Sequence, residues 1–136
     1  MNLLNNCNTS QKAAILAACI ALCKLEPNNI NAKELAFVKN ISEKINFEID
    51  PALIKLVDKS GEKDRVLILN TLGKTQKEQL IRLLFVMIKF DPSHGDWKAK
   101  DNFIEKLGEQ MGVSEDSIST QSIESIDDYM TMILLS

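Results

Sequence analysis

Aromatic residues are scarce in this chain, at 5% of 136 positions, and so are glycine (five) and proline (three). Strands draw on aromatic side chains, and their connections draw on glycine and proline. The scarcity therefore sets aside a strand-rich fold and leaves helix as the expectation. Dense lysine and arginine runs are missing as well, and the net charge is −3. A nucleic-acid partner is not expected, because binding phosphates calls for a basic patch. Histidine occurs once, as His94, and cysteine three times, as Cys7, Cys19 and Cys23. No Cys-x-x-Cys pair or Cys/His cluster is present, so the usual metal and redox signatures are lacking. An odd number of cysteines with Cys19 and Cys23 one helical turn apart reads as small core residues, in keeping with a reducing cytoplasm. The apolar run over residues 13–23 is about half the roughly 20 residues that span a bilayer. No positive segment precedes it and no small-residue cleavage site follows it, so it reads as a buried central helix rather than a signal or anchor. Nucleophile-elbow, phosphate-loop, dinucleotide and HExxH patterns are all missing. No residue is assigned to catalysis, no cofactor is expected, and the chain is read as a non-enzyme.

What the chain does contain is an echo of itself. Ser10-Gln11-Lys12 opens one apolar run, and Thr75-Gln76-Lys77 opens another. The first ends in Lys24-Leu25-Glu26-Pro27, the second in Lys89-Phe90-Asp91-Pro92, at one fixed offset. Such an offset marks duplication of a structural unit. The pattern predicts a single all-α domain over 1–136, a bundle of seven or eight helices. It is built from two tandem repeats, about 10–73 and 75–136, related by a pseudo-twofold. Neither half buries its apolar helices alone, so the two are expected to share one core.

Helix by helix, the first begins after Thr9 or Ser10 as cap and runs to about Leu25, before Glu26-Pro27. Asn31 and Glu34 form a capping box for a second helix with the stripe Leu35, Phe37, Val38, Ile41 and Ile45. Asp50 caps a third that starts at Pro51 and presents Leu53, Ile54, Leu56 and Val57. Ser60-Gly61 breaks it, a short helix follows through Val66, Leu67 and Leu69, and Gly73 is expected to stop that one. Thr75 through Glu78 reads as a second capping box, opening a central helix through Leu80 to Ile88. Asp96 caps the next, with Phe103, Ile104, Leu107 and Met111 as its stripe and Gly112 as its close. Ser114 and the stripe Ile123, Ile126, Met130 and Ile133 give two last helices that complete the second repeat. The tail 132–135 is expected to pack down.

These residues resemble the TerB-like (tellurite-resistance) helical domains. The resemblance rests on Lys77-Glu78-Gln79-Leu80, Phe90-Asp91, Phe103-Ile104-Glu105-Lys106-Leu107-Gly108 and Met111-Gly112-Val113-Ser114. In the first half it rests on Glu26, Ala36-Phe37-Val38, Ile41 and Ile45. It covers the chain from about Ser10 onward. It implies an all-α bundle with internal duplication, a role in metal or tellurite stress, and acidic loop residues as ion ligands. The family loop reads Ala-Asp-Gly where this chain has Leu25-Glu26-Pro27 and Phe90-Asp91-Pro92. Proline fixes φ and gives up its amide, so the loop here must turn differently.

The leading functional expectation is a non-enzymatic accessory or interaction module whose partner is another protein, with a homodimer as the other assembly considered. The first alternative is a divalent-cation binder using the acidic loops, with Glu26, Glu34, Asp91, Asp96 and Asp101 as candidate oxygen ligands. Glu26 and Asp91 face the negative ends of the long helices, which is costly unless a cation or a lysine such as Lys24 or Lys89 compensates. An EF-hand does not fit: counted from Asp91, the twelfth position is Asn102 and Gly95 falls one place early. The second alternative is an enzyme with a pocket between the repeats. His94 reads as a loop histidine and Trp97 as a lid over the end of the core.

Overall fold

A computed structural model describes residues 7–25, 51–57, 61–89 and 97–113, with isolated positions between 36 and 48. Helix accounts for 83% of the described residues, with no strand among them, and the all-α expectation holds. Among the described residues five helices run in the order α1 (Thr9–Cys23), α2 (Pro51–Val57), α3 (Glu62–Leu69), α4 (Lys74–Lys89) and α5 (Trp97–Met111). Against seven or eight expected, the two helices assigned beyond Ser114 lie outside the described residues. So does most of the helix assigned after Asn31. Ala36, Val38, Lys39, Ser42 and Glu43 are helical there, and Val38 is buried.

α1 is capped by Asn8, not by Thr9 or Ser10. The Asn8 side chain accepts the Gln11 amide at 2.8 Å, and the Gln11 side chain accepts the Asn8 amide at 2.9 Å. This reciprocal pair satisfies two of the four orphan donors at a helix start. The helix closes at Lys24, whose amide donates to the Ile20 carbonyl at 3.0 Å. With no polar residue from 13 to 23, no face of α1 is suited to water. Ala14 to Cys19 are each 0% exposed. α2, α3 and α4 all pack against it, and its alanines let them approach closely.

α2 starts at Pro51, where the missing amide costs nothing. Leu53 and Val57 point into the core, as their spacing predicts. α3 follows through Gly61, which is itself buried. A β-carbon built there would collide with the Lys55 carbonyl oxygen and sit 2.9 Å from the Leu56 Cα, so only glycine lets α3 begin this close to α2.

Two expectations are corrected at the next junction. α3 ends at Leu69 with Asn70 as its C-cap, rather than at Gly73. Gly73 instead sits immediately before α4: the Lys77 amide donates to its carbonyl at 2.9 Å, and its own amide donates to the Gln76 side chain at 3.1 Å. Thr75 is therefore inside the first turn and is not the cap. The helix begins earlier because glycine provides the backbone entry and Gln76 provides the oxygen.

α4 buries Leu80, Ile81, Leu83 and Leu84 and packs on α5 and α1. α5 carries the predicted stripe, with Ile104, Leu107 and Met111 buried and Phe103 partly so. Gly112, at φ 72°, closes it as expected. The Val113 amide reaches the Gly108 carbonyl at 2.8 Å and the Gly112 amide reaches Glu109 at 3.1 Å, which is the Schellman pattern. One cluster of buried side chains draws on all five helices, from Ala14 to Met111.

Candidate functional site

Three groupings of chemically capable side chains occur among the described residues. The first is a polar junction around the turn 70–73, where the starts of α1 and α4 meet the ends of α3 and α5. Gln11 Nε2 donates to Thr71 Oγ1 at 2.9 Å, and Thr71 Oγ1 donates to the Ile68 carbonyl at 2.6 Å. Asn70 Nδ2 donates to the Gln110 carbonyl at 3.2 Å, while Lys77 Nζ donates to Asn70 Oδ1 at 3.3 Å. Gln76 Nε2 donates to Cys7 Sγ at 3.4 Å. Most of these groups are neutral amides and hydroxyls bonded to one another or to helix-end carbonyls. They fasten four helix ends together and leave little for a substrate to engage.

The thiols form the second grouping, and none of the three cysteines is in a disulfide. Burial pushes the half-buried Cys7 thiol up, against the opposing pull of Lys12 and the Gln76 bond. Burial pushes Cys19 up to about 12. A thiol attacks or ligates as thiolate, so Cys19 is inert near neutral pH and acts as a small apolar side chain. This agrees with its reading as core.

The third grouping surrounds Arg65, which is only 3% exposed. Its Nη1 donates to the Leu56 carbonyl at 2.9 Å and the Val57 carbonyl at 3.3 Å, satisfying orphan acceptors at the end of α2. Its guanidinium carbon lies 5.7 Å from the centroid of the Phe103 ring on α5, within cation–π range. Burial pulls its pKa down, with Glu62 acting in the opposite sense. Glu62 in turn pairs with Lys106 at 3.4 Å on the surface. The guanidinium thus joins α2, α3 and α5. Sequence reasoning missed it, although a signal existed: Arg65, Leu69 and Leu72 follow helical spacing, and both leucines are buried. Lys100 is a second missed case. It is 1% exposed and lies one turn before the stripe Ile104, Leu107 and Met111, in register with it.

Of the five acids proposed as ion ligands, Glu26, Glu34, Asp91 and Asp96 lie outside the described residues, as does His94. Asp101 lies half-buried on α5. Among the described residues no group of three His, Cys, Asp or Glu side chains comes together in a way that would hold a metal ion. No helix among them is long and apolar enough to cross a membrane. The chain matches no protein-family model, no curated protein and no solved structure.

Proposed function

We propose that this chain is a non-enzymatic helical module that acts by binding another protein, built on a TerB-like plan of two repeated units. The observation that carries this reading is where the reactive groups go. Arg65, Gln11, Gln76 and Asn70 all bond to helix ends, and Cys19 is sealed in the core with its thiol held protonated. Side chains spent on fastening helices are those of a scaffold, whose work is done by its outer surface. The TerB-like resemblance supplies metal or tellurite stress as the setting.

The test is purification of the tagged chain from its own cells under mild crosslinking, with quantitative mass spectrometry. A second protein at near-stoichiometric yield is the expected result. Recovery of the chain alone, together with a Ca²⁺ or Mg²⁺ thermal shift abolished by Glu26→Ala/Asp91→Ala, would replace this reading with the cation-binding one. Turnover in a general hydrolase and transferase screen would replace it with the enzymatic one.

A further inference from the structure

We infer that Gln11 and Gln76 form a reciprocal clasp that makes the starts of α1 and α4 a single cooperative unit. Each glutamine is the third residue of its helix. Each uses its side-chain oxygen at home: Gln11 Oε1 accepts the Asn8 amide at 2.9 Å, and Gln76 Oε1 accepts the Gly73 amide at 3.1 Å. Each sends its side-chain nitrogen across to the lead-in of the other helix. Gln11 Nε2 reaches Thr71 Oγ1 at 2.9 Å, two residues before Gly73. Gln76 Nε2 reaches Cys7 Sγ at 3.4 Å, one residue before Asn8. The two reaches are reciprocal without being equivalent: Thr71 lies five residues before Gln76, and Cys7 lies four before Gln11. The glutamine shared by Ser-Gln-Lys and Thr-Gln-Lys suits this work, because its amide carries an acceptor oxygen and a donor nitrogen on separate atoms that serve two partners at once.

The clasp makes a prediction that two independent caps do not. Glutamate at either position keeps the home acceptor, and a carboxylate is favoured at a helix start, so the chain still folds. What glutamate loses is the donor that crosses over. In the full-length chain, amide hydrogen exchange is read by NMR at Asn8, Lys12, Gly73 and Lys77. The Lys12 and Lys77 amides close the first turns of the two helices on Asn8 and Gly73. Gln11→Glu should speed exchange at Gly73 and Lys77 by about fivefold, the size of a lost cap, while leaving Asn8 and Lys12 protected. Gln76→Glu should do the reverse. Thr71→Ser, which keeps the hydroxyl, should leave all four amides as in the parent chain, and Thr71→Val should reproduce Gln11→Glu. If each glutamate variant alters only its own helix, or alters neither, the coupling does not exist. The proposed function also draws on the Arg65 and Asn70 bonds and has its own test in recovery of a partner protein, so the two can fail separately.

Discussion

α1 and α4 enter from the same register, each with a glutamine at its third residue bonded back to the residue that precedes the helix. From there they diverge. Ala14 to Cys19 of α1 are closed off from solvent, whereas Gln76 to Gln79 of α4 remain half-exposed and burial begins with Leu80, Ile81, Leu83 and Leu84 farther along. The starts match because helix initiation is local chemistry: an acceptor three residues in, and a chain that enters from an extended or glycine conformation. The burial differs because it follows where polar residues fall. α1 has none from 13 to 23, and all of that run is buried except Ala13 and Ile20, which are partly so. α4 places Thr75, Gln76, Lys77, Glu78 and Gln79 ahead of its first leucine, so its first turns stay at the surface. A shared start signal and a shared environment are separate things, and α1 and α4 have only the first in common.

The contrast is most sharply tested by placing one lysine in each helix. Ala17→Lys puts an unpaired charge in a site with 0% exposure. It should cost more than about 4 kcal/mol and abolish the cooperative urea transition, while Thr75→Lys on exposed α4 surface should stay within about 0.5 kcal/mol. Equal effects would mean that α1 is not the sealed helix. Next in size is overpacking. Ala18→Leu should lower stability by about 1–3 kcal/mol in denaturant titration, since neighbouring helices already lie against the alanine wall.

A third effect appears only in alkali. The folded Cys19 thiol is held at about 12, against 9.0 when unperturbed. Between those values the unfolded chain gives up a proton that the folded chain keeps, so raising pH favours unfolding. Stability should be unaffected by this group below pH 9 and should fall by up to about 1.4 kcal/mol per pH unit above it. Cys19→Ala should flatten that limb in urea titrations from pH 8 to 11. An unchanged slope would mean that the thiol is not buried as described. The smallest effect separates the caps. Asn8→Ala should cost about 1 kcal/mol, because α1 uses that side chain, while Thr75→Ala should cost under about 0.5 kcal/mol, because Gly73 precedes α4. The opposite ranking in thermal melts would restore Thr75 as the cap.

Much of the helical plan could be read from residue order. Pro51 marks a helix start because its ring fits only the first turn, and Gly112 marks an end because the chain there needs a positive φ. The run 13–23 announced burial through its lack of any polar residue. The cap of α1 was harder, since Asn8, Thr9 and Ser10 are all competent and only the backbone chooses among them. Gly73 was misassigned because a glycine between two helices can end one or open the next, and the Gln76 bond that decides the matter is a side-chain choice. Arg65 and Lys100 were passed over because charged residues are assigned to the surface by default. Their registers, in step with Leu69 and Leu72 and with Ile104, Leu107 and Met111, were the available clue. Of the proposed ion ligands, only Asp101 falls among the described residues, so the all-α scaffold was far more legible than any site upon it.

Thiol labelling of Cys19 and Cys23 under native conditions, followed across low urea concentrations, reaches the central point: α1 as the buried spine against which α2, α3 and α4 pack. Both thiols should react only as fast as the whole chain unfolds, with the same urea dependence and free energy as the loss of helical circular dichroism. Labelling that is orders of magnitude faster, and insensitive to urea, would show that α1 opens by itself and would contradict that central placement.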